Sequence, residues 1–148
     1  MASDPLQVLF PLVVLLAVVL YGVLLARNGD LAAVVVSEGG VLIRPRGVFK
    51  VLSFRWSIRI PVDAIAGVHV MDAGDLDPPG MRYGATLFPG LTAGTFIGPQ
   101  GTSYWLAGRT RRSLRLELSD GPLNRIVVQA GDDPNALAVR IRNLVRDR

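Results

Sequence analysis

Residues 94–130 read GTFIGPQGTSYWLAGRTRRSLRLELSDGPLNRIVVQA, and they decide the fold. Runs rich in β-branched, aromatic and leucine residues occupy Gly94–Gly98, Thr102–Ala107, Ser113–Ser119 and Arg125–Ala130. Turn chemistry separates them: Pro99-Gln100-Gly101, the basic Gly108–Arg112 segment, and Asp120-Gly121-Pro122. Short strands punctuated by glycine and proline are the signature of an all-β domain. SLRLELS alternates strictly, which predicts a strand with Leu114, Leu116 and Leu118 on its inner face.

The same pattern extends upstream. Leu31–Ser37 and Val41–Arg46 predict a hairpin around Glu38-Gly39-Gly40, with Pro45 at an edge or strand end because it cannot donate a ladder hydrogen bond. Gly47–Phe54 is ambiguous, with room for a short strand at Val48–Leu52. Arg55–Ile60 alternates, placing Trp56, Ile58 and Ile60 on one buried face; Trp56 and Trp105 are expected in the core. Pro61-Val62-Asp63 turns the chain into the strand Ile65–Met71. Asp72–Thr92 has no strand or helix pattern, and a loop of that length inside a compact domain is commonly functional. Its first half is acidic; its second carries Met81, Tyr83, Leu87, Phe88 and Leu91.

Downstream, Asp133 is a helix N-cap and Pro134 fits the first helical position. Leu137, Ile141, Leu144 and Val145 then form one apolar stripe. Arg140, Arg142 and Arg146 lie off it, toward the end that the helix dipole makes favourable to cations. A helix this short needs a sheet to cover.

At the other end of the chain, Leu6–Ala26 (LQVLFPLVVLLAVVLYGVLLA) has no charged residue. At about 1.5 Å per residue it spans roughly the hydrocarbon core of a bilayer. A secretory signal would show a basic flank and a small-residue cleavage site; Met1-Ala2-Ser3-Asp4 has neither Lys nor Arg. The stretch therefore reads as a permanent anchor over residues 1–27, with one folded domain at 28–148. Arg27, Arg44 and Arg46 follow the span, so the positive-inside rule puts the N-terminus outside and the domain in the cytoplasm.

Of the 148 residues, 16 are Lys or Arg and 12 are Asp or Glu, a net charge of +4 that is too small and dispersed for a nucleic-acid partner. There is no cysteine, which excludes disulfides and thiolate metal sites.

Strands closed by one helix behind a membrane span resemble the bacterial pleckstrin-homology-like (PH-like) domain proteins. The likeness runs from about Ala32 to Val145. It rests chiefly on Arg82-Tyr83-Gly84-Ala85-Thr86-Leu87-Phe88-Pro89-Gly90-Leu91-Thr92-Ala93-Gly94-Thr95-Phe96, where an Arg, spaced glycines and a Pro-Gly lead into a Gly-x-Phe strand. Pro61–Ile65 and Asp133-Pro134 also resemble that group. The resemblance implies a mainly β fold: an antiparallel sandwich or partly open barrel of about seven strands, capped by a C-terminal α-helix and preceded by a single transmembrane helix. It implies a bacterial cell membrane. Lipid-binding members carry basic residues around the first hairpin, whereas Glu38-Gly39-Gly40 carries none.

No catalytic constellation emerges, so the sequence predicts no enzyme and no cofactor. His69 is the one histidine and lacks partners for a triad or a metal. Asp72, Asp75 and Asp77 lack the later glutamate of a calcium loop. Arg82, Tyr83 and Phe88 are the candidate partner-binding loop, and Arg109, Arg111 and Arg112 the candidate lipid-facing basic turn. The expected role is a non-catalytic protein-interaction or scaffolding module whose partner is another membrane protein. The alternative is arginine-mediated sensing of anionic lipid headgroups.

Overall fold

The computed structural model describes residues 5–28, 30–73, 75, 81–83 and 90–148. Helix α1 (Pro5–Asn28) is long and apolar enough to cross a membrane and is exposed along most of its length. Pro11 lies inside it without ending it. The remainder is mainly β, arranged as two sheets that do not close on each other.

The smaller sheet holds β1 (Ala32–Ser37), β2 (Gly40–Pro45) and β3 (Ile58–Pro61) in sequence order, all antiparallel. A single helical turn, α2 (Phe49–Leu52), stands between β2 and β3. A 3₁₀ turn at Val62–Ala64 leads into the larger sheet. That sheet contains β4 (Ile65–Met71), β5 (Met81–Tyr83), β6 (Leu91–Gly98), β7 (Gly101–Gly108), β8 (Ser113–Leu118) and β9 (Arg125–Val128), in the order β4-β8-β9-β7-β6-β5. A parallel bridge between Ala32 and Ala130 joins the sheets.

Four expectations need correction. Nine strands are present among the described residues rather than about seven. The fold is not wholly antiparallel: β9 inserts between β7 and β8 and runs parallel to β7. The 109–112 turn therefore carries the chain across the end of β9. Val48–Leu52 forms α2 instead of a strand, because the chain turns at once after Pro45 and the Ser53 hydroxyl donates to the Phe49 carbonyl oxygen at 2.6 Å. Finally, Trp56 is 74% exposed. The alternation that suggested burial begins only at Ile58, where the chain first pairs with β2.

One apolar core lies between the sheets. Val41, Ile43, Ile58 and Ile60 from the small sheet meet Leu91, Tyr104, Leu106, Leu114, Leu116 and Ile126 from the large one. Each such side chain removed from water contributes about 1.5–3 kcal/mol before entropic costs. Helix α3 (Pro134–Arg146) buries Leu137, Ala138 and Ile141 in the same core, whereas Leu144 and Val145 are only half-buried. The Asp133 carboxylate accepts from the Asn135 backbone N–H at 3.1 Å. Arg142 Nη2 donates to the Val68 carbonyl oxygen at 2.8 Å, holding the helix against β4. A smaller cluster of Phe96, Trp105, Ala107 and Val127 sits on the opposite face of the large sheet. There the Phe96 and Trp105 rings meet edge to face, 6.4 Å apart.

Candidate functional site

The strand directions define the end of the domain that adjoins α1. Helix α1 ends at Asn28, and β1 starts at Ala32. Because β1 and β2 are antiparallel, Ala32 pairs with Pro45, so β2 finishes where α1 leaves off. The Arg46 backbone N–H donates to the Leu31 carbonyl at 2.9 Å, and Arg46 Nη1 meets Asp30 Oδ2 at 2.7 Å. The Ala32–Ala130 bridge places the end of β9 beside them, and the end of β7 lies alongside, where the Gln129 N–H donates to the Leu106 carbonyl at 2.8 Å. Helix α1 touches β7, and Gly22, near its end, is buried.

The basic turn belongs to this end. Arg109, Arg111 and Arg112 are all exposed. The Arg109 N–H donates to the Gly90 carbonyl at 2.8 Å. Arg112 Nε pairs with Asp72 Oδ1 at 2.9 Å. Arg111 and Arg112 also line a hollow with Asp132 and Asp133. The carboxylates offset much of the turn's positive charge, so its field toward an anionic surface is weaker than its sequence suggests.

Of the candidate partner-binding loop, Arg82 and Tyr83 fall in β5, where they pair with Phe96 and Thr95; Phe88 lies outside the described residues. β5 is the outermost strand of the large sheet, so part of the expected loop is ladder. The pairing puts Arg82 in mid-strand, whereas the arginine turn follows Gly108, paired with Leu91 at the start of β6. The two candidate groups do not form one site.

Sequence reasoning missed a different surface. Among the described residues, β3 has a strand neighbour on one side only. Beside its free edge opens a cleft of about 300 Å³, lined by Arg55, Ser57 and Ile58–Pro61 and, opposite, by Leu118 and Asp120–Leu123. Its apolar lining comes from Ile58, Ile60, Ala64, Pro122 and Leu123. Arg59 is exposed at its rim while Ile58 and Ile60 are buried. The one signal for it in the sequence was the Arg-Ile alternation ending at Pro61, a residue suited to an edge.

Tyr104, on β7, is wholly inaccessible to solvent. Burial pushes its phenol up to about 12, and the Ser53 hydroxyl and the Arg55 charge act against that shift. The group stays neutral at physiological pH. His69 is exposed on β4. Among the described residues, no group of three or more His, Cys, Asp or Glu is gathered as a metal site would require.

No protein-family model matches the chain, and no curated protein or solved structure does.

Proposed function

We propose that this chain is a single-pass membrane protein with a PH-like cytoplasmic domain. The domain is a non-catalytic module that binds a juxtamembrane segment of another membrane protein along β3. Two sheets and a C-terminal helix covering the core between them support the PH-like assignment. Arg27 and the basic residues after it favour the cytoplasmic side.

The observation that carries the binding role is the free edge of β3 beside its apolar cleft. An extended segment adds to such an edge through main-chain hydrogen bonds, and the cleft takes alternate side chains. β3 begins at Ile58, near the membrane-side end, and runs away from it to Pro61. A segment emerging from the bilayer would therefore run along it. Arg55 and Arg59 favour a segment with carboxylates between its apolar residues.

The test uses the full chain in detergent micelles with two synthetic octapeptides, one alternating Glu and Val and the other Lys and Val. The Glu-Val peptide should slow amide hydrogen exchange across 57–60, and the Lys-Val peptide should not. Arg59→Glu should reverse the preference. Equal protection by both peptides, or by neither, overturns the proposal.

A further inference from the structure

We infer that the loop between β2 and β3 is a second membrane contact. It would lay Val51, Phe54 and Trp56 into the anionic lipid surface of the bilayer that α1 spans, so it rests on the reading of α1 as a membrane span.

Exposure is the first observation. Val51 is 64% exposed, Phe54 75% and Trp56 74%. The other exposed large apolar side chains described in the domain, Val35, Ile97 and Val139, are aliphatic and stand singly, at 50%, 47% and 52%, and within this same loop Phe49 is fully buried. Phe49 and the Ser53 hydroxyl fix α2 to the core and the turn. The exposed residues are thus presented from an anchored base.

Placement is the second. The loop leaves β2 at Pro45, opposite the first residue of β1, and Arg46 is joined to Asp30 and Leu31. Only Gly29, Asp30 and Leu31 separate α1 from β1. The exposed apolar residues are therefore at the end of the domain nearest the bilayer, away from the Glu38-Gly39 turn at the opposite end.

Charge is the third. Between Glu38 and Asp63 the sequence has five basic residues, Arg44, Arg46, Lys50, Arg55 and Arg59, and no acidic one. Lys50 and Arg55 flank the exposed apolar side chains. Aromatic rings among cations suit the headgroup zone, where rings enter the acyl boundary and cations meet lipid phosphates. The 109–112 turn, by contrast, has Asp72, Asp132 and Asp133 beside its arginines.

The experiment reconstitutes the full chain into liposomes of phosphatidylcholine and phosphatidylglycerol. Trp56 emission is isolated by subtracting the spectrum of Trp56→Phe. With lipids brominated near the top of the acyl chains, this component should lose most of its intensity and resist acrylamide. Lys50→Glu with Arg55→Glu should restore acrylamide access. Phe54→Ser, an exposed substitution, should reduce the lipid quenching and leave the melting temperature nearly unchanged. If Trp56 stays open to acrylamide and unaffected by brominated lipid while alkaline carbonate fails to extract the protein, the loop contact is wrong and the anchor stands. If carbonate extracts the protein, both readings fall. Shielding of Trp56 in native membranes but not in liposomes would make the surface a protein contact and overturn the lipid assignment.

Discussion

Gly40→Ala is the sharpest probe of the small sheet. Gly40 opens β2 with φ at +139°, a region that L residues rarely enter. A Cβ there would overlap the Ile60 carbonyl oxygen on β3. The unfavourable dihedral costs about 1–3 kcal/mol. Relieving the overlap requires β3 to draw away from β2, weakening ladder hydrogen bonds near Gly40 worth about 0.5–1.5 kcal/mol each. The sum is about 2–5 kcal/mol, and a drop in melting temperature of roughly 10 °C or more follows for a domain of this size. Gly39→Ala is the matched control, since a Cβ there meets nothing within 4 Å; such surface changes stay within about 0.5 kcal/mol. Thermal unfolding in detergent micelles, followed through tryptophan emission, measures both. Equal melting temperatures for the two variants would refute the Gly40–Pro61 register and the position of β3. Gly40→Ala should also abolish protection of 57–60 by the Glu-Val peptide, because the edge moves.

Three further outcomes are expected. Tyr104 titrates near 12 when folded and near 10 when unfolded. Its contribution is complete below pH 10 and is lost as pH rises toward 12, because the unfolded chain releases the proton first. Denaturant titrations should therefore show a fall of a few kcal/mol over that window, smaller in Tyr104→Phe. Asp133→Ala removes the cap on the Asn135 N–H and should cost about 1 kcal/mol in urea unfolding. Because the chain has no cysteine, Ser3→Cys and Ser119→Cys give clean topology labels. An impermeant maleimide on intact cells should label Ser3→Cys alone, and outside labelling of Ser119→Cys would refute the cytoplasmic placement.

The parts legible in sequence are those where a local pattern had no competitor. Asp133-Pro134 followed by the Leu137/Ile141 stripe gave α3, and Leu114 and Leu116 gave the inner face of β8, because helical and strand periods leave distinct marks. The insertion of β9 between β7 and β8 was not legible. Turn chemistry reports that the chain reverses, and it does not report which strand fills the space. Trp56 misled for a different reason. Its two-residue spacing from Ile58 continues the strand period, but no partner strand extends to meet it, and alternation means burial only where a ladder exists. The missed sites share that origin. Both the cleft and the loop depend on where β3 begins and on which side it is unpaired.

Phe54 shows how the loop's exposure bears on function. It is the one non-glycine with positive φ among the described residues, at 53°. The position follows α2, where glycine commonly ends a helix in the left-handed conformation. A bulky residue there costs about 1–2 kcal/mol. Glycine's greater freedom in the unfolded chain returns about 0.5–1 kcal/mol of that. Phe54→Gly should therefore raise stability slightly, by up to about 1 kcal/mol, a few degrees in melting temperature. With 75% of its surface exposed, Phe54 contributes little burial in compensation. A side chain that strains the backbone and faces water fits the proposed contact outside the fold. With α1 read as a membrane span, the domain is already at the bilayer and the loop needs little affinity of its own. In the proposed reading it adds orientation, presenting β3 to segments that rise from the same membrane. Phe54→Gly should leave the protein in the membrane fraction, raise its melting temperature and reduce lipid quenching of Trp56. A lower melting temperature would mean that Phe54 is held by the fold, and the case for a lipid-facing loop would lose its central residue.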